Sequence, residues 1–498
     1  MLPFKTLLNL NEKAPQAIFR QLAAQLVKLI QQGLLAPGMP LPSSRVMAEL
    51  LALHRKTVMA AYAELLTQDW IESLPRRGYR ISSNLPIVKP RTYTGGQSTS
   101  PFKENAQFSF ADIAPAMAQI PMPEDPGAFQ INDGFPDARL VPLEKIQKEY
   151  QRLMEPGQLK KLLAARDSGG TTVLKQATQS FLNESRGLHI STDNLMITRG
   201  AQMAIYLAAA LLIKPGDKVI VSDPSYFIAD AAFRQLGAEL VRVPVDQEGM
   251  NVDQIEAVLK THNIRFLYVI PHHHHPTTVT MSANRRLQLL ELIKRYQLVV
   301  IEDDYDYDFH YENSPYLPLA SSDHEGNVIY IGSFTKLLAP SFRLGYLIAA
   351  PNFVQEAIKL KRLIDLRGDA VMEGAIARLI GNGDLGRHIK KSNKLYSIRC
   401  DYAAELMKAQ LSDVLDFVKP QGGMALWLRF KPEYPLGEVI KKSAALGLHL
   451  YGAAYYNGPD QKHNGMRFGF ASLDSKELET VVAILAKASR QVALRRST

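Results

Sequence analysis

From Leu195 onward the chain alternates short apolar runs with helical stretches, and few folds accept that alternation. Leu195-Met196-Ile197, Val219-Ile220-Val221, Phe266-Leu267-Tyr268-Val269-Ile270, Leu298-Val299-Val300-Ile301 and Val328-Ile329-Tyr330-Ile331 are each followed by a turn. Helical periods such as residues 203–213 and 284–296 lie between them. Runs without polar alternation need cover on both faces, so the pattern predicts a largely parallel sheet with helices on either side. Ligands of such sheets bind beyond the carboxyl ends of the strands, so the residues just after each run are the ones to inspect.

That sheet cannot be the whole molecule. At about 150 residues per domain, 498 residues suggest roughly two to four compact units. With 46% hydrophobic and 21% charged residues the chain can bury a large core, which excludes a disordered or fibrous protein. Cys400 is the only cysteine, so neither an internal disulfide nor a cysteine-rich metal site can form, and a reducing cytoplasm is the expected location. No apolar stretch approaches the roughly 18 residues of a membrane span, and residues 1–10 lack the pattern of a secretion signal.

Charge is uneven along the chain. Residues 1–90 hold eleven Lys or Arg against five Asp or Glu, most of the overall excess of +9. A basic patch can simply be solvated; it is also the electrostatic footprint of a nucleic-acid binder.

The local pattern favours the second meaning. Ile18, Leu22, Leu26 and Ile30 mark one face of a helix stopping at Gly33. After Pro37-Gly38 and Pro40, Ser43 and Ser44 open a second helix with Met47, Leu50 and Leu51 expected inward. A turn at Ala52-Leu53-His54 leads to a third, whose Val58, Ala61, Tyr62 and Leu65 face inward while Arg55, Lys56 and Thr57 occupy the exposed first turn. Such a helix fits the major groove and presents its N-terminal residues to bases and phosphates. Residues 70–73 and 79–81 read as strands around Pro75-Arg76-Arg77-Gly78, a wing for the adjacent groove.

Residues 18–82 resemble the winged helix of the GntR family, on Leu41-Pro42-Ser43-Ser44-Arg45, the start of the third helix and Arg77-Gly78. The resemblance implies DNA contacts from Arg45, Arg55, Lys56 and Thr57, and from Arg76, Arg77 and Gly78 at the wing. One departure is His54, where the family often has a serine cap. Residues 1–82 are therefore expected to form a winged helix-turn-helix DNA-binding domain. Residues 83–130, with Pro86, Pro90, Gly95-Gly96 and the polar run 97–101, are expected to be a linker, and residues 131–498 an effector domain.

In that larger part the reactive side chains follow the apolar runs. Glu302-Asp303-Asp304-Tyr305-Asp306 comes after Ile301, and Gly332-Ser333-Phe334-Thr335-Lys336 after Ile331, with Arg343 a little further on. A lysine, an acid and an arginine at neighbouring strand ends suit a phosphorylated aldehyde cofactor: the amine forms an imine, the carboxylate keeps a ring nitrogen protonated and the arginine holds phosphate. Pyridoxal phosphate needs all three.

From about Asp133 to the C-terminus the chain resembles the fold-type I aminotransferases, and with the N-terminal part it resembles the MocR/GabR-type bacterial transcription regulators over nearly its whole length. The implied fold is an α+β winged helix-turn-helix head followed by an α/β aminotransferase-like body with a mostly parallel central sheet and a smaller C-terminal α/β lobe. By the same resemblance Lys336 forms the internal aldimine, Asp303 pairs with the pyridine nitrogen and Tyr305 hydrogen-bonds the ring hydroxyl. Ser333, Thr335 and Arg343 match phosphate-binding positions. Backbone amides of Ala201 and Gln202, where a loop opens a helix, add to the phosphate cup.

Tyr226, in Asp223-Pro224-Ser225-Tyr226, matches the tyrosine that stacks on the cofactor ring, with Ser225 in place of the usual glycine; ordinary packing is the other reading. His275, last of four consecutive histidines, takes the position of the asparagine before proline beside the ring hydroxyl. Four histidines invite a metal reading, but consecutive side chains point in different directions, so no metal is expected. Arg467, in Met466-Arg467-Phe468-Gly469-Phe470, is the expected anchor for an effector carboxylate, or else a structural ion-pair partner.

These features predict a pyridoxal-phosphate-binding, ligand-responsive transcription regulator that exchanges an amine at Lys336. Its partners would be a double-stranded DNA operator, an amine, amino acid or the cofactor itself as effector, and a second copy of the chain in a homodimer associated with the bacterial nucleoid. The alternative is a working aminotransferase with a fused DNA-binding domain. Where many relatives carry Tyr-Gly-Asp-Pro before a glycine, this chain has Ala165-Arg166-Asp167-Ser168-Gly169-Gly170, which argues for weak transaminase activity at most.

Overall fold

The structure is a computed structural model describing residues 2–75, 77–88, 105, 108–109, 129–164, 167–311, 316–452, 456–457 and 463–494. The chain divides into two compact units, Met1–Phe110 and Ala111–Thr498. Most of the expected linker, residues 83–130, lies outside the described residues.

In the first unit three helices, Ile18–Gln31, Ser44–Leu51 and Arg55–Thr67, pack on a small antiparallel sheet. Of the expected inward residues, Leu22, Leu26, Ile30, Val58, Ala61, Tyr62 and Leu65 are buried, while Ile18, at the start of its helix, is half-buried. Burial of each large side chain contributes about 1.5–3 kcal/mol. The middle helix differs in detail. Met47 and Ala48 are buried, whereas Leu50 and Leu51 are only half-buried, because the short helix packs through its centre. Two caps hold the turn. Ser43 accepts from the amide of Val46, and His54 Nδ1 accepts from the amide of Lys56 at 3.2 Å, so the histidine performs the serine's role with a ring nitrogen. Tyr62 donates its hydroxyl to the carbonyl of Pro42 at 2.9 Å and ties the third helix to the start of the second.

The second unit is built on an eight-stranded sheet. In spatial order its strands are Leu195–Thr198, Gly345–Ile348, Val328–Ser333, Val300–Asp304, Ile264–Val269, Lys218–Asp223, Glu239–Asp246 and Gly249–Met250. Neighbours are parallel except around Gly345–Ile348 and at the Gly249–Met250 edge. Buried apolar groups on both faces explain the unbroken apolar runs.

A smaller lobe follows the long helix Asp384–Leu411. Its antiparallel sheet joins Leu415–Asp416, Ala425–Phe430 and Gly465–Gly469, covered by the helices Leu436–Ala444 and Ser475–Leu494. Phe129–Gln130 pairs with Leu448–His449 of this lobe. Among the described residues no helix is long and apolar enough to cross a membrane.

A candidate cofactor cavity and a candidate DNA interface

Strands of the central sheet end at one cavity of about 330 Å³. The strand Val300–Asp304 shows why a run of three acids can be buried there. Side chains alternate across a strand. Glu302 accepts from the amides of Leu319 and Ala320, and Asp304 meets the Tyr330 hydroxyl and His272 Nδ1, while Asp303 lines the cavity.

Asp303 Oδ2 accepts from the Tyr268 hydroxyl at 2.6 Å, but its Oδ1 is buried without a hydrogen-bond partner. Burial pushes this carboxyl up to about 7, helped by the charges of Asp304 and Asp306 and opposed by the Tyr268 hydrogen bond. An unpaired buried oxygen is costly. A protonated ring nitrogen would satisfy it, which is the donor that pyridoxal phosphate presents.

Across the cavity stands Lys336, whose Nζ donates to the carbonyl of Gly134 at 2.7 Å and lies 4.1 Å from the centre of the Phe135 ring. Burial lowers its pKa, although Asp133 opposes the shift, so its neutral, nucleophilic form is easier to reach than that of a surface lysine. Tyr305 donates to the carbonyl of His273 at 2.9 Å and accepts from Arg467 at 2.9 Å.

The phosphate end has a backbone explanation. The helix Ala201–Leu212 begins at the cavity with Gly200 as its N-cap and no side chain capping it, the kind of helix start that suits an anion. Arg343 donates to the carbonyl of Arg199 at 2.9 Å and lines the same space as Ala201, Gln202, Ser333 and Thr335. Gly345 packs so closely here that a Cβ would sit 2.7 Å from the carbonyl carbon of Gly200. Cation, amides and hydroxyls, the set expected to hold a phosphate, thus line the same cavity.

Tyr226 and His275 complete the wall, their rings edge to face at 4.9 Å. The four histidines of the run take separate partners: Asp304, Asp306, Ser222 with Thr277, and Asp133. Among the described residues no cluster of three or more His, Cys, Asp or Glu could hold a metal. His275 Nε2 lies 3.2 Å from Asp133 Oδ2, and its Nδ1 is buried without a partner. Burial lowers its pKa to about 4, so the ring is neutral at physiological pH. Burial alone would raise Asp133, but the hydrogen bond from His275 and the charges of Lys336 and Arg467 hold its carboxyl well below the usual range.

All ten residues expected at the cofactor line this one cavity. Arg467 is held just outside its lining. It is buried, and donates to the carbonyls of Asp133 at 2.5 Å and Pro276 at 3.3 Å as well as to Tyr305. Phe227 and Ile228, next to Tyr226, also line the cavity, and sequence reasoning missed Asp133, Phe135, Tyr451 and Tyr456, which line it too. The only available signal was the stretch Asn132-Asp133-Gly134-Phe135-Pro136 at the start of the body. Ala165 and Arg166 lie outside the described residues.

In the first unit Arg45, Arg55 and Lys56 are exposed and Thr57 is half-buried. Arg55 Nε donates to Ser44 Oγ at 3.3 Å. Arg77 is exposed in the hairpin turn, where Gly78 adopts φ +91° with open space around it; Arg76 lies outside the described residues. Arg45, Arg55, Lys56 and Arg77 thus belong to the third helix's first turn, the helix before it and the hairpin, the three parts a groove-binding winged helix uses.

Residues 130–493 match the family described as aminotransferase class I and II, and residues 19–81 match the bacterial regulatory proteins of the gntR family. Aromatic-amino-acid aminotransferase 1 of Thermococcus litoralis is 30% identical over 364 residues, covering 72% of this chain and 87% of that protein. The probable rhizopine catabolism regulatory protein MocR of Rhizobium meliloti is 26% identical over 492 residues, 97% of this chain and 96% of that protein. Among solved structures, the α-aminoadipate aminotransferase LysN of Thermus thermophilus, complexed with N-(5'-phosphopyridoxyl)-L-leucine, matches with a TM-score of 0.69 and 25% identity. That match covers 74% of this chain and 94% of LysN.

Proposed function

The chain belongs to the MocR-type regulators, a GntR-family helix-turn-helix joined to a class I and II aminotransferase body, and from that premise we propose that it regulates transcription in response to an amine taken up at Lys336. The observation that carries this reading is the buried, unpartnered Oδ1 of Asp303 in the same cavity as Lys336 and Arg343. Pyridoxal phosphate, when bound, supplies a carbonyl that combines reversibly with primary amines. Lys336 would hold it covalently, Asp303 would accept from the ring nitrogen, and Tyr305 and His275 would flank the ring hydroxyl. Tyr226 would lie against the ring. Ser333, Thr335, Arg343 and the amides of Ala201 and Gln202 would hold the phosphate.

Arg467 would receive a carboxylate on the incoming amine, at the expense of one of its present acceptors. Arg45, Arg55, Lys56, Thr57, Arg76, Arg77 and Gly78 would contact an operator. The organisation we assign is a DNA-binding head over residues 1–82, a linker over 83–130 and an effector body over 131–498. It would act as a homodimer in the cytoplasm, at the nucleoid, because paired heads read paired half-sites.

The intact lysine, acid and arginine set also favours a second reading, slow transamination. The test loads the full-length protein with pyridoxal phosphate, reduces it with borohydride and maps the adduct by mass spectrometry, then follows operator affinity and keto-acid release with added amines. An adduct on Lys336 and an amine-dependent change in operator affinity are expected. Absence of that adduct, or operator affinity indifferent to every amine while keto acid accumulates, overturns the regulatory reading.

A further inference from the structure

Once the cofactor-directed residues are assigned, part of the cavity lining remains unclaimed. Among the described residues it includes Phe135, Phe227, Ile228, Tyr451 and Tyr456, with Asp133 as its charged group. Two of these aromatic rings are in direct contact. Phe227 and Tyr456 meet edge to face with centroids 6.4 Å apart, and Tyr456 in turn stands 5.4 Å from Trp427 of the C-terminal lobe. Phe135 lies against the Lys336 amine.

The charges of the cavity are equally informative. Among the described lining residues the cations are Lys336 and Arg343. The first is the point of covalent attachment and the second belongs to the phosphate end. Arg467 lies behind the lining, with acceptors at Asp133, Pro276 and Tyr305, and can meet at most the carboxylate next to the reacting amine. A second carboxylate, at the far end of a ligand, would find aromatic and aliphatic side chains and no further cation among the described lining residues, in a cavity that already holds the carboxylate of Asp133. Burying a charge without a partner is heavily penalised, and like charges add to that cost. An aromatic or branched aliphatic group there gains burial and edge-to-face contacts.

We infer that the effector is a primary amine whose far end is aromatic or branched aliphatic, and that the Phe135, Phe227, Ile228, Tyr451 and Tyr456 wall with Asp133 rejects dicarboxylic and ω-carboxylic amines. This rests on the reading of Lys336 as the amine-exchange site and supplies the ligand class that reading leaves open.

The test titrates cofactor-loaded, full-length protein with phenethylamine, L-phenylalanine, L-leucine, L-aspartate, L-glutamate and γ-aminobutyrate, following the visible absorbance of the cofactor. Half-saturation by the best aromatic or branched amine is expected at least about ten-fold below that of every acidic one, the discrimination that roughly 1.4 kcal/mol provides. Ile228→Arg, which adds a cation to the wall, is expected to narrow or reverse that ratio in favour of L-glutamate. An acidic amine that saturates at an equal or lower concentration than the aromatic and aliphatic ones overturns the inference, as does a loaded protein that responds to none of them. The parent reading fails separately: there, no borohydride-stable adduct forms on Lys336 and the titration has no cofactor signal to follow.

Discussion

The amine of Lys336 donates to the carbonyl oxygen of Gly134 at 2.7 Å, joining a residue just past a central strand to one 202 positions earlier, at the start of the body. Removing the amine leaves the Gly134 carbonyl without this donor and removes the nucleophile. Lys336→Ala and Lys336→Arg are both expected to abolish the borohydride-stable adduct, since a guanidinium is a poor imine former, while operator binding by the first unit persists. Mass spectrometry and gel-shift titration check the two halves. Adduct formation in either variant would place the reactive amine elsewhere.

Asp303 carries a pH signature. Its carboxyl is raised to about 7 by burial, against about 3.9 in an unfolded chain. A raised carboxyl means the folded protein holds the proton more tightly than the unfolded one. The contribution to stability is therefore fully present below about pH 4, declines as pH rises and levels off above about pH 7. Asp303→Asn keeps an oxygen for the Tyr268 hydroxyl and removes the titration. Without cofactor the variant is expected to match the natural protein near pH 4 and to exceed it by about 1–3 kcal/mol at about pH 8. With pyridoxal phosphate the order should invert, because the amide is a weaker acceptor for a protonated ring nitrogen. Thermal melts at both pH values, with and without cofactor, give all four numbers; a variant that gains as much from the cofactor as the natural protein does would remove Asp303 from the site.

How much of this was legible beforehand follows from what is local. Val300–Asp304 announces itself, since an apolar run ending in acids says both strand and strand end, and so does Val328–Ser333 with Lys336 beyond it. The antiparallel strand Gly345–Ile348 does not. Its partners, Val328–Ser333 and Leu195–Thr198, are far apart in sequence, and four residues carry no period that could declare a direction. Tyr451 and Tyr456 were equally silent, because they reach the cavity from the C-terminal part of the body and no motif marks them. His54 is a milder case: a ring nitrogen can cap as a hydroxyl does, but propensity alone ranks it low.

Gly345 tests whether the phosphate end depends on backbone proximity. A Cβ at this position would lie 2.7 Å from the carbonyl carbon of Gly200 and 2.9 Å from the amide nitrogen of Ala201. Those atoms are backbone and cannot swing aside, so Gly345→Ala must move the loop that opens the helix Ala201–Leu212. The expected cost is about 1–3 kcal/mol of stability, with weaker cofactor retention on dialysis. Gly386→Ala is the contrasting control. It lies in the helix Asp384–Leu411 with open space around it and should be neutral or stabilising by up to about 1 kcal/mol. Equal behaviour of the two variants in cofactor retention would show that the close approach at Gly345 is irrelevant to the phosphate end.

The DNA-binding head separates charge from structure at adjacent positions. Arg55 is exposed at the first turn of the third helix, whereas His54 caps that helix through Nδ1. If Arg55 meets a phosphate, Arg55→Ala should weaken operator binding and reduce the slope of log affinity against log salt by about 1, the counterion released per contact. Its effect on stability should be small, since the side chain gives up one hydrogen bond to Ser44. His54→Ala should do the reverse. Loss of the cap costs about 0.5–2 kcal/mol and lowers the melting temperature, while the salt slope stays unchanged because no cation has been removed. Salt titrations of operator affinity alongside melts of both variants decide the matter. A salt slope unaltered by Arg55→Ala would mean that this face of the helix does not lie against the duplex.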